Sequence, residues 1–272
     1  MLKVRENIAL PQSASQSLAA LQAKVDGEPD YPARVAAARA AWDGARKNDP
    51  PFDAMKSALI AMCWGRRRCM YCEDSSADEI EHLWPKSLYP ERVFDWENHL
   101  FACGPCNGPK GSAFAVFPAG SDTPVEVARK KGQPVVPPLA GDAVLLDPRR
   151  DDPLEFLTLS IALPVDQGGY RFVERPARGT RAWERAHYTI KTLRLNDRSD
   201  VVEGREDAYR SLCRVLRDVP RLRAKGESLE GERRSVRNTP HRSVWEGMKR
   251  QRDRIAELRQ LFAMTGPVVL DW

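Results

Sequence analysis

Two Cys-x2-Cys pairs constrain this 272-residue chain more than any other feature: Cys69 with Cys72, and Cys103 with Cys106. Four thiolates at that doubled spacing suit one tetrahedral Zn²⁺ ion, and a site whose four positions are all filled by protein sulfur is structural rather than catalytic. The competing reading is two coincidental pairs, which so specific a spacing disfavours. The 30 residues between Cys72 and Cys103 exceed the roughly 15–20 of a zinc ribbon. The clasp therefore encloses a segment large enough to carry structure of its own.

Six cysteines in a chain this long do not make a disulfide scaffold, and Cys63 and Cys213, outside the pairs, read as small buried apolar residues. The opening MLKVRENIAL has no signal-peptide apolar run, and no stretch of about 18 apolar residues occurs, so a cytoplasmic location is the expectation. A hydrophobic content of 42% supplies a core. The net charge of +5, from 43 basic and 38 acidic residues, leans mildly toward polyanions, although solubility alone could explain it.

Apolar spacing of three and four predicts helices over 12–26, 31–47 and about 52–64. Two strand-like stretches, 154–163 and 170–174, flank the turn signal DQGG, and helical periodicity returns over 181–195, 200–219 and 241–263. The fold class is α+β and mostly helical. Its expected parts are an N-terminal helical segment (1–62), the zinc-bound core (63–114), a region of loops and short strands (115–180) and a C-terminal helical region (181–272).

Inside the clasp, Glu79-Ile80-Glu81-His82 alternates as a short strand does, with Glu79 and Glu81 on one face and His82 on the other. A second strand is expected within Phe94 to Phe101, containing Asn98, and a helix from Cys103 carries Asn107 and Lys110 one turn apart. An acid, an imidazole, an amide and an amine are thus drawn toward one zinc-framed place.

This stretch resembles the HNH endonuclease motif, the ββα-metal nuclease core, in its zinc-stabilised form. The resemblance implies that Glu81 is the acidic metal ligand and His82 the general base. It makes Asn98 the amide that braces loop and strand, Asn107 a ligand of the catalytic ion, and Lys110 the lysine of the "CNxxK" ending. A narrower resemblance, "YCE…EIEH…PKS.YP…WEN…C..CN..K" with "LLDPRRDDPLEFL" and "TIKTLRLNDRSDVVEGR" downstream, covers about Phe52 to Arg205. It is similar to the PtuB-like HNH component of Septu and retron-type anti-phage systems. That family implies DNA as substrate and an ABC/SMC-like, PtuA-like ATPase as partner. Trp84 departs from it where a basic residue is usual, and His99 where an aliphatic is; His99 is given no role.

The implied chemistry is phosphodiester hydrolysis. Neutral His82 takes a proton from water, and Mg²⁺ or Mn²⁺ held by Glu81 and Asn107 polarises the phosphate. Lys86 and Lys110 are candidates to bind substrate phosphates, with a solvated helix lysine as the plain alternative for Lys110. Glu79 reads as solvent-facing or outside the ligand shell, and Glu73 as bonded to knuckle amides. His187 and His241 read as surface residues without partners. Arg210, Arg214, Arg217 and Arg221 form a basic stripe, solvated or along a DNA backbone. The helices of 12–47 and 181–263 are not needed for the chemistry; they pack on the core or dock the ATPase. A non-catalytic zinc module that docks nucleic acid or a protein is the alternative function.

Overall fold

The computed structural model describes residues 1–44, 49–74 and 76–272. The periodic N-terminal stretches form α1 (Gln12–Asp26), α2 (Tyr31–Gly44) and α3 (Pro50–Met62). Pro50 and Pro51 open α3, where a missing N–H costs nothing because the first turn has no intrahelical acceptor for it. The end of the expected 31–47 helix, from residue 45 on, lies outside the described residues.

Within the cysteine clasp, β1 (Glu79–His82) pairs antiparallel with β2 (His99–Ala102), and α4 (Gly104–Lys110) follows directly. The register sets Glu81 opposite Leu100 and His82 opposite His99. The second strand starts later than expected. Asp95 caps a 3-10 turn over Trp96–Asn98 by accepting from the Glu97 amide at 3.0 Å, which holds that stretch out of the extended conformation. Asn98 is therefore the last residue of a turn, not a strand residue.

Beyond the clasp, β3 (Ala115–Phe117) lies between β4 (Val125–Glu126) and β5 (Asp142–Ala143). A single helical turn, α5 (Pro153–Phe156), precedes the hairpin of β6 (Leu157–Leu159) and β7 (Phe172–Glu174). The expected strand over 154–163 is shortened at its start because Asp152 caps α5, accepting from the Leu154 amide at 3.0 Å.

The C-terminal half comprises α6 (Arg181–Thr192), α7 (Ser199–Ala224), α8 (Glu230–Asn238), α9 (Arg242–Gln251) and α10 (Ala256–Thr265). Helix α7 runs through Pro220, where the sequence predicts a stop, because buried Val219 and Leu222 carry the apolar stripe across the proline. Helix α8 has no apolar period to announce it, only Val236 being buried. The single helix expected over 241–263 is two: a turn at 252–255 lets α9 lie against β6 while α10 packs along α7.

The fold is thus mixed α/β with roughly half of the described residues helical. Among them no helix is long and apolar enough to cross a membrane. One apolar core joins the knuckle residues Tyr71 and Phe101 to Leu212 and Leu216 of α7 and Trp245 of α9. A second joins α1, α2 and α3 to Val93 and Phe94.

Arg205 of α7 ties the β6–β7 hairpin to this core. It is 0% exposed, donates to the carbonyls of Tyr170 (3.1 Å) and Leu195 (2.7 Å), and stacks over Phe172. Arg205→Met should keep the apolar stem but strand both carbonyls, costing about 3 kcal/mol in the urea unfolding midpoint analysis.

Candidate functional site

The sulfurs of Cys69, Cys72, Cys103 and Cys106 are buried and lie within 4.8 Å of one another. Those of Cys72 and Cys103 are 3.8 Å apart. A tetrahedron with Zn–S bonds of about 2.3 Å has edges of roughly 3.8 Å, so the donor set and spacing fit a metal such as zinc. Cys63 and Cys213, also buried, stand outside this group.

The first knuckle is gripped from the far end of the chain. Glu73 sits at φ +65°, which turns the chain after Cys72, and its Oε2 accepts from the Ser243 amide at 2.8 Å. The His241 ring donates through Nδ1 to the Cys72 carbonyl at 3.1 Å. His241 is 1% exposed, so its reading as a surface residue is corrected. Gly204 makes room for it, since a Cβ there would stand 2.8 Å from His241 Nε2. His187 is exposed as expected, but it has a partner, Glu174 Oε1 at 2.8 Å.

Strand β1 divides its side chains between two neighbours. On one face Glu79 and Glu81 meet α4. The Asn107 amide nitrogen donates to Glu79 Oε2 at 2.6 Å, which fixes the amide orientation because a carboxylate only accepts, and leaves Asn107 Oδ1 facing away from that bond. Gly104 permits the approach, a Cβ there falling 3.1 Å from Glu79 Oε1. Glu81 is buried; its Oε2 accepts from the Tyr71 hydroxyl at 2.7 Å and its Oε1 is ion-paired with Lys110.

On the other face His82 is 6% exposed, and its Nε2 lies 3.0 Å from the Val93 carbonyl. A carbonyl only accepts, so Nε2 carries the proton and Nδ1 keeps its lone pair. The Val93 carbonyl also takes the Nε2–H of His99 at 3.1 Å. Trp42 of α2 meets the His82 ring edge-on at 4.2 Å and stacks on His99. Burial above all, then the neighbouring His99 and Lys86, holds the His82 pKa well below 6.5. The imidazole is neutral at pH 7.

A cleft of about 980 Å³ runs across both faces, lined by Glu79, Glu81, His82, Lys86 and Asn107, and on its far wall by Arg39, Trp42, Phe52 and Lys56. Asn98 stands behind it, fully buried. Its side chain accepts from the Trp84 amide at 2.7 Å and donates to the carbonyls of Trp84 (3.0 Å) and Arg92 (2.9 Å), bracing the loop that ends at Val93.

One sequence reading changes here and two gain detail. Lys110, expected to bind phosphate or water, is 1% exposed and bonded to Glu81 and the His82 carbonyl, so burial removes it from both roles. Glu79 is exposed, as read, and in addition accepts from Asn107. The N-terminal helices, read as packing on the core, also supply one wall of the cleft. The alternation of β1 hinted at Glu79, but the sequence carries no signal for Arg39, Trp42 or Lys56, which reach the cleft only through helix packing. The stripe of Arg210, Arg214, Arg217 and Arg221 is exposed, with Arg210, Arg217 and Arg221 paired to Glu206, Glu257 and Asp218.

No protein-family profile matches the chain. A stretch of 63 residues is 41% identical to the Septu protein PtuB of Bacillus thuringiensis. It covers 21% of this chain and 24% of that protein, so the chain spans about a quarter of the relative's length. The match supports a PtuB-like relationship over that segment.

Metal analysis of the purified protein should find about one zinc per chain, and Cys103→Ser should lose it together with solubility. Zinc-free Cys103→Ser that melts like the wild type would refute a structural metal. Lys110→Met should cost about 3–5 kcal/mol by leaving the Glu81 carboxylate buried and uncompensated, and adding Glu81→Gln should recover most of that loss in a urea titration.

Proposed function

We propose that this protein is a metal-dependent HNH-type endonuclease hydrolysing phosphodiester bonds, those of DNA first, as the nuclease of an anti-phage complex with an ATPase. The observation that carries the reading is the His82 tautomer: a neutral imidazole lines the cleft with Nδ1 unprotonated. The oxygens of Glu79, Glu81 and Asn107 stand across β1 from it. The hairpin-and-helix order of β1, β2 and α4 around four cysteines supports an HNH core. The defence role and the PtuA-like ABC/SMC ATPase partner rest on the likeness to Septu protein PtuB.

In this reading His82 Nδ1 takes the proton of the attacking water while Nε2–H stays on the Val93 carbonyl, which steadies the positive charge formed on the ring. Asn98 acts through that carbonyl: it holds the Arg92 end of the loop and is a positioning residue. The donors fit a hard cation in chemical type. Asn107 Oδ1 is free of the Glu79 bond, and each Glu81 oxygen keeps a second lone pair beside its present partner. Asn107, Glu81 and Glu79 would hold Mg²⁺ or Mn²⁺. When bound, that ion supplies charge neutralisation at the phosphate and the leaving oxygen. Lys86 lines the same cleft and contacts a substrate phosphate.

One observation favours the alternative of a non-catalytic docking module: Glu81 is already neutralised by Lys110. The two readings part on a plasmid incubated with Mn²⁺ or Mg²⁺. His82→Ala should cut at least about 100-fold more slowly while keeping its zinc. Cutting at the wild-type rate would sink the assigned base, and no cutting by the wild type, alone or with the ATPase, would leave the docking module standing.

The pH profile is a separate check. A base must be neutral to act, and the His82 pKa is lowered, so neutral base persists on the acid side of 6.5. The acid limb of kcat/KM should therefore fall below pH 6.5, with a flat rate from there to pH 8.

A further inference from the structure

We propose that Arg39 of α2 and Lys56 of α3 form, with Lys86, the track that holds the phosphodiester backbone of a nucleic acid in the cleft. The proposal deepens the nuclease reading and rests on the cleft being its substrate site. The two new residues lie outside the cysteine clasp, in helices that contribute no group to bond cleavage.

The placement follows from helix spacing and ring contacts. Arg39 and Trp42 are three residues apart on α2 and share a face; Phe52 and Lys56 are four apart on α3 and share another. The two faces are joined where the Trp42 and Phe52 rings meet edge-on with centroids 5.4 Å apart. Trp42 also meets His82, at 4.2 Å. Each cation is thus one helical turn from an aromatic layer that rests on the base. Lys86 approaches the same layer from the loop after β1, its Nζ 6.0 Å from the Trp42 centroid.

None of the three cations has a carboxylate within 4.0 Å among the described residues, and all three line the cleft. Other surface cations also lack ion pairs, Arg66 and Arg67 among them, but they do not line it. Of the cleft's acids, Asp78, Glu79 and Glu81 belong to the β1 side and Asp43 to the end of α2. The β1 side thus offers oxygens to a cation, while Arg39 and Lys56 of the helical wall, beside a single acid at the end of α2, offer cations to phosphates. A polymer carrying a phosphate on every unit meets both at once. The resulting contacts are with the backbone, so they position the strand without reading its bases.

Binding is measured apart from cleavage, with His82→Ala protein as the parent. The probes are a fluorescein-labelled duplex DNA of about 20 base pairs and an RNA duplex of the same sequence, in Mg²⁺ at several salt concentrations. Adding Arg39→Gln and Lys56→Gln should weaken binding of the preferred duplex by about tenfold or more and flatten the slope of log K against log salt by about 2. Zinc content and melting temperature should hold. Arg66→Gln with Arg67→Gln is the control and should change neither quantity. Unchanged affinity and slope, an equal loss in the control, or no binding of either duplex by the parent would each overturn the track. If the track variant loses affinity but His82→Ala still cuts at the wild-type rate, the catalytic assignment fails and the track stands. The tighter of the two duplexes names the nucleic acid.

Discussion

Four cysteine sulfurs held within 4.8 Å of one another are the constraint on which the rest of this molecule depends. Buried thiolates so close repel unless a cation joins them, and joining them closes a loop of chain that begins before β1 and ends in the first turn of α4. The closure brings β1 onto β2 and sets α4 against β1. The groups that β1 and α4 bring to the cleft inherit their positions from that closed loop. The C-terminal half then locks it from outside, with His241 on the Cys72 carbonyl and the Ser243 amide on Glu73. The cysteine clasp and the distant helices are therefore one mechanical unit.

The two faces of β1 divide the chemistry. A strand points alternate side chains to opposite sides, so the carboxylate of Glu81 and the imidazole of His82 have different surroundings although they are adjacent. Glu81 faces α4, where Lys110 and Tyr71 compensate its charge in a place with little water. His82 faces Val93, His99 and Trp42, where burial keeps the ring neutral. An ion-paired carboxylate beside an uncharged imidazole is a stable arrangement because each group has its own partner. Pairing Glu81 with His82 directly would have raised the imidazole pKa.

The histidine pair shows how the loop and the helices cooperate. One backbone carbonyl, that of Val93, accepts from both His82 and His99. Asn98 supports that carbonyl by anchoring the Arg92 end of its loop, and α2 covers both rings with Trp42. Protonating both rings would set two cations side by side in a buried space, so the packing itself enforces neutrality. His99, which local pattern left without a role, owes its importance to standing opposite His82 in the register.

Much of this was legible in the linear pattern. The doubled Cys-x2-Cys spacing is read directly as a ligand pattern, and the alternation of Glu79 to His82, the placement of Asn107 and Lys110 on one short helix, and the long helices α1, α6 and α7 follow from local periods of two and 3.6 residues. Those features depend on neighbours within a few residues, which a sequence displays directly. What the tertiary structure alone decided lies at long separation. It put Lys110 into a buried ion pair, gave Asn107 to Glu79, buried His241 beneath the knuckle, carried α7 through Pro220, and brought Arg39, Trp42 and Lys56 to the cleft. Each of these depends on how elements far apart in the sequence pack together. That is settled by how apolar surfaces fit together over the whole chain, and no local period encodes it.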